Sequence, residues 1–299
     1  MKKMLIVLIL TVTANITFAQ ANENELLTKA TTLVKEQLKT NLSIGLNNQT
    51  MLNAYNAVVQ SQMQEEVKVR VLSKIAQAHQ AGLPAEPLAE KVMEGLAKRA
   101  NEAQLENALN QLTERYSYAK QLTEQLAFNQ QTKSKIMGNI ADALAAGISK
   151  QSMENIMSHS QLKSEPELAA EITECVKDMS RARVQSNLIE KTMTKAIEKG
   201  YNAGELAEIR NQFKTMAKTR DANQLAQNMQ NGFQMGAKSS DISKGLSGNG
   251  NGGNMGSGYG DSSGMGSGSG GSNGNGGSGG SSGGSGGNGG GHGGGGKGM

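Results

Sequence analysis

Apolar residues recur at spacings of three and four from about Asn22 to Lys244, with polar residues filling the intervals, and no stretch alternates apolar with polar as a half-buried strand would. The region is rich in Ala, Leu, Gln, Glu, Lys and Met and poor in β-branched runs. The pattern predicts an all-α fold for it.

One fourteen-residue stretch, MTKAIEKGYNAGEL from Met193 to Leu206, returns in altered form at Leu38 to Met51, Ile75 to Leu88, Ile140 to Met153 and Met229 to Ile242. The copies align on Gly45, Gly82, Gly147, Gly200 and Gly236. Each has an apolar residue seven before the glycine, a small or short residue four before, and an apolar residue six after. Only nine glycines precede Gly245 and five hold this position, so the shared flanks mark an internal repeat rather than independent helix ends. The motif predicts helix, turn, helix, with the glycine in a left-handed conformation just past the helix end. Leu46, Leu83, Ile148 and Tyr201 then fold back over the small residue and staple onto Met51, Leu88, Met153 and Leu206 of the next helix. Asn47, Ser149 and Asn202 stand at N-cap positions, whereas Pro84 and Lys238 do not suit that role.

A second kind of boundary reads as a capping box: NEAQL from Asn101, SEPEL from Ser164 and DANQL from Asp221. Asn101, Ser164 and Asp221 are the expected N-caps, with Gln104, Glu167 and Gln224 reaching back. Ser61 with Gln64 is a degraded fourth case. The longest candidate helix, Glu102 to Ala146, is expected to break in the polar cluster from Asn129 to Thr132. Stacked side by side, such helices form an α-hairpin, solenoid-like repeat; an irregular helical bundle is the alternative. With few aromatics and no tryptophan, the core falls to Leu, Ile, Met and Ala.

Composition then divides the chain of 299 residues into three parts. Residues 1–19 carry Lys2 and Lys3, an apolar run from Met4 to Val12 and small residues, the pattern of a secretory signal peptide cleaved after Ala19 or Ala21. The run is too short for a membrane span, and no cysteine follows it to carry a lipid, so the mature chain is expected to have no transmembrane anchor. Residues 22–244 form the helical domain. Residues 245–299 form a Gly/Ser/Asn-rich tail in which 29 of the 54 residues from Leu246 onward are glycine, too little apolar surface to offset ordering entropy, so a disordered spacer is expected.

Charge and chemistry narrow the function. Without Lys2 and Lys3 the balance is 28 basic against 26 acidic residues, which gives no general pull toward nucleic acid. Cys175 cannot form an internal disulfide because it has no partner, and it shares a stripe with Leu168, Ile172, Met179 and Ala182 that predicts burial. Glu167, Glu171, Glu174 and Asp178 fall along one helical face without a nearby histidine; they are expected to be solvated and answered by Arg181 and Arg183. His79, His159 and His292 belong to no metal-binding motif, and GFQMGAKS from Gly232 has the wrong glycine spacing for a phosphate loop. No catalytic, cofactor-binding or metal-binding residue is assigned. The expectation is an exported, periplasmic or extracellular, non-enzymatic protein that binds a protein or envelope component, the tail acting as spacer. A matrix protein self-associating through its tail is the alternative.

Overall fold

A computed structural model describes residues 23–248. The expected signal peptide of residues 1–19 and the tail beyond Gly248 lie outside the described residues. Among the described residues the chain is all-helical, with fourteen helices and no strand. A helical segment at residues 23–29 (α1) precedes α2 (Thr32–Ser43), α3 (Gln49–Gln60), α4 (Glu65–Gln80), α5 (Glu86–Ala97), α6 (Glu102–Glu124) and α7 (Gln130–Ala145). There follow α8 (Lys150–Met157), α9 (Ser160–Ser164), α10 (Pro166–Arg181), α11 (Ser186–Glu198), α12 (Ala203–Met216), α13 (Ala222–Met235) and α14 (Ser239–Ser247).

Packing follows a simple rule over much of the chain: a helix lies on the second one after it. Thus α2 packs on α4, α3 on α5, α10 on α12, α11 on α13 and α12 on α14, while α6 to α7 and α7 to α10 bridge the middle. One continuous apolar cluster runs from Leu26 to Leu246 and consists mainly of Leu, Ile, Val, Met and Ala. The central helix α10 buries residues on nearly every side.

Seven helix ends share one closure. The five aligned glycines all have positive φ, from 66° at Gly236 to 107° at Gly147, and two further residues, Arg99 at 55° and Arg183 at 64°, do the same. In each case the next residue's amide reaches back five residues: Leu46 to the Asn41 carbonyl, Leu83 to Ala78, Ala100 to Gly95, Ile148 to Ala143, Val184 to Met179, Tyr201 to Ala196 and Ala237 to Gly232. This hydrogen bond satisfies a carbonyl that the ended helix leaves over. Gly45 and Gly82, Gly147 and Arg183, and Gly200 and Gly236 are 36 or 37 residues apart, while Gly82 to Arg99 and Arg183 to Gly200 are each 17, one helix and turn.

The caps divide. The Asn101 side chain accepts from the Gln104 amide and the Gln104 side chain accepts from the Asn101 amide, a complete box. The Asp221 side chain accepts from the Gln224 amide at 2.7 Å. Ser164 is a correction: it ends α9, its hydroxyl donates to the Gln161 carbonyl, and Glu165 stands before α10 without a side-chain cap bond. Pro166 explains the shift, because its ring pushes the preceding residue into extended backbone, seen at Glu165 with φ −116° and ψ 92°. Asn47 also yields by one position: Asn48 caps α3, accepting from the Met51 amide and donating to Glu86. Ser149 and Asn202 cap α8 and α12, and Asn129 caps α7 at the break between α6 and α7. Gly245 and Leu246 belong to α14, and Leu246 is fully buried, so the helical region runs three residues past the change in composition at Lys244.

Candidate functional site

Three carboxylates of α10, Glu171, Glu174 and Asp178, are held by cations of α7 and α12. Glu171 and Asp178 are buried, and Glu174 is half-buried. Arg210 of α12 reaches between them: Nε donates to Glu171 Oε1 at 2.6 Å, one terminal nitrogen donates to Asp178 Oδ2 at 3.0 Å, and the same nitrogen lies 3.7 Å from Glu174. Lys214, one turn on, lies 3.3 Å from Asp178. From α7, Lys135 lies 3.3 Å from Glu174, and Asp142 pairs with Arg181 at 2.8 Å. Lys177 lies 3.6 Å from Glu174 and donates to Asn139, a buried α7 side chain whose amide lies 3.3 Å from Thr173 Oγ1.

This corrects the expected solvated face at Glu171, Glu174 and Asp178, whereas Glu167 is exposed as expected. Arg181 turns away to α7, and Arg183 occupies the left-handed turn after α10; the acids are answered by Arg210, 39 residues beyond Glu171. Spacing along α10 identified the acidic stripe, but its partner is non-local. A signal was available: Arg210 and Lys214 are themselves four apart and form the complementary cationic stripe.

Electrostatics favour the charged forms of Arg210 and Glu174. Burial opposes the Arg210 charge, but hydrogen bonds to Glu171 and Asp178 outweigh it and raise its pKa. Burial likewise pushes the Glu174 carboxyl up, yet Lys177, Arg210 and Lys135 hold it below its ordinary 4.5. Cys175 is 1% exposed, its sulfur 3.9 Å from Glu171 Oε1. Burial, reinforced by the Glu171 charge, pushes its thiol well above 9.0, which suppresses the nucleophilic thiolate. The acids are engaged as acceptors of cationic donors, an arrangement suited to joining helices rather than to moving protons. Among the described residues no group of three or more His, Cys, Asp or Glu could hold a metal ion. His79 lies exposed in the last turn of α4, and His159 precedes α9 without a side-chain cap bond.

Two clefts open at opposite ends of this network. One, of about 570 Å³, is lined by Asp178, Arg181, Asn211, Lys214, Thr215 and Lys218, among others. The other, of about 320 Å³, lies against Thr132, Lys135, Pro166, Glu167 and Ala203.

No family model, curated protein or solved structure matches this chain. Among the described residues no helix is long and apolar enough to cross a membrane.

Proposed function

We propose that this chain is an exported, non-enzymatic helical repeat protein that binds another macromolecule, with its glycine-rich tail as a flexible spacer. The observation that carries the reading is the recurrence of one turn geometry together with packing of a helix on the second one after it. That combination is the signature of α-hairpin repeats, which stack units on their neighbours and offer long surfaces to partners. Polar contacts repeat at the same interval. Arg70 meets Glu106, Tyr118 meets Glu154, Asn155 meets Glu190 and Gln212 meets Ser247, each pair 35 or 36 residues apart. Export rests on the leader pattern of residues 1–19.

The test is affinity capture from envelope and culture-supernatant fractions with the whole mature chain and with a form ending at Gly248. A partner retained by both forms supports binding by the helices. A partner or an assembly seen only with the tail present would overturn it in favour of the matrix reading.

A further inference from the structure

Along α12, Arg210 and Lys214 face α10, since residues four apart are neighbours on a helix surface, and Lys218 follows in the turn just beyond the helix end at Met216. The facing stripe of α10 carries Glu171, Glu174 and Asp178. Arg210 meets all three, and Lys214 meets Asp178. Asp178 is the last acid of α10, which from there offers Arg181 and then ends at Ala182. The cations thus continue past the last acid, and Lys218 is exposed with no ion pair among the described residues. The other neighbour, α14, supplies no acid here. Its Asp241 sits in the first turn, at the end where Ser239 meets Glu208, while its last turn offers the Ser247 hydroxyl to Gln212 and the Leu246 carbonyl to Arg220.

The overrun opens into the cleft of about 570 Å³. Its cations Arg181, Lys214 and Lys218 share the lining with Asp178, which Arg210 already engages, while Arg181 pairs with Asp142 of α7. We propose that this cleft receives a carboxylate-rich segment of a protein partner. The segment continues the stripe in the chemistry that its lower rungs use, carboxylate against Arg and Lys. Lys214 and Lys218 both line the cleft, so a segment with more than one carboxylate has two exposed cations to meet. The inference rests on the macromolecule-binding reading above and names the partner's chemistry.

The test is fluorescence anisotropy of the full mature chain with a labelled peptide of alternating Glu and Ser, beside its Gln and Ser counterpart and with inorganic polyphosphate as competitor. The acidic peptide binds, the neutral one does not, and binding falls steeply between about 0.05 and 0.5 M salt because exposed pairs are screened. Lys214→Gln with Lys218→Gln weakens binding about five- to tenfold, as expected for two exposed ion pairs, and Lys191→Gln, on the exposed side of α11, leaves it unchanged. Equal binding by the double variant, equal binding of the Gln peptide, or response to polyphosphate alone overturns the proposal. The same double variant used in affinity capture separates the two readings. A partner retained equally by wild type and variant removes the cleft but leaves macromolecular binding in place, whereas no partner on either form removes both.

Discussion

Arg210 on α12 and Glu171 on α10 meet at 2.6 Å with side chains only 12% and 11% exposed, across a sequence separation of 39 residues. Removing one partner of a buried ion pair leaves the other charge without compensation, which costs more than the pair contributes. Arg210→Met is expected to lower stability by about 3–5 kcal/mol. Arg210→Met combined with Glu171→Met recovers part of that loss, because Asp178 still has Lys214. Denaturant titration of the two variants checks the order; a double variant no better than the single one would mean that the pair is not coupled as its geometry indicates.

The same network predicts an acid response. Glu174 titrates below 4.5 in the folded chain because Lys177, Arg210 and Lys135 outweigh its burial. An acid with a depressed folded pKa contributes stability above its unfolded pKa and loses it as pH falls through the folded one. Melting temperature is therefore expected to fall below about pH 4.5, and Glu174→Gln to flatten that part of the profile. Equal slopes for the two proteins would remove Glu174 as a source of acid sensitivity.

Much of the fold was legible because its signals are local. Gly147 and Gly200 mark left-handed turns by their identity, Asn101 and Gln104 mark a cap by their spacing, and Asn129 ends the apolar stripe at the break between α6 and α7. The remainder depends on distant or competing partners. Arg99 and Arg183 adopt the conformation of the five glycines without being glycine, so alignment on glycine passes over them, although Val92, Gly95, Ala100 and Leu105 around Arg99 fit the motif. Ser164 carries a cap signal that Pro166 overrides. Glu171 reads as surface until α12 brings Arg210 to it.

Those two arginines give a test of opposite signs. A non-glycine residue in the left-handed region costs about 1–2 kcal/mol, part of which glycine recovers against its larger unfolded entropy. Arg183→Gly is expected to stabilise by about 0.5–1 kcal/mol. Gly147→Val and Gly200→Val are expected to cost about 1–3 kcal/mol; a Cβ there meets no other atom within 4 Å, so the cost lies in the backbone alone. Thermal melting distinguishes the two signs, and unchanged values for the valine variants would remove the physical basis of the shared turn.

Gly232 has an ordinary φ and is constrained by space instead. A Cβ at this position on α13 would stand 2.7 Å from Cγ1 of Ile242 on α14. Gly232→Ala is expected to cost about 1–3 kcal/mol through overpacking, and Gly232→Ala with Ile242→Val, which removes the Cδ1 contact at 3.0 Å and keeps Cγ1, to return part of it. A double variant as unstable as the single one would place the strain elsewhere.

Cys175 is expected to ignore thiol reagents while the chain is folded, since its sulfur is buried and its thiolate is disfavoured by burial and by Glu171. Labelling should follow the unfolding curve in denaturant. Fast labelling of the native protein would show that α10 opens locally and that the network around Arg210 does not hold it closed.

The end of the helical region sets the last expectation. Composition changes at Gly245, which invites truncation there, but Leu246 is fully buried and its carbonyl accepts from Arg220, as does that of Gly248. Gln212 also donates to the Ser247 hydroxyl oxygen. A chain ending at Gly248 keeps all of these contacts and is expected to melt as the full-length protein does. A chain ending at Lys244 loses the Leu246 side chain from the core and leaves the last turn of α14 without the carbonyls that hold Arg220. Losing a buried leucine costs about 2–5 kcal/mol, so a melting temperature lower by several degrees is expected, at about 2–4 °C per kcal/mol for a domain of this size. Leu246→Ala in the full-length chain should reproduce most of the drop, which separates loss of core packing from loss of the tail. Equal melting of the forms ending at Lys244 and Gly248 would show that α14 contributes nothing beyond Ile242 and that the domain closes where the composition changes.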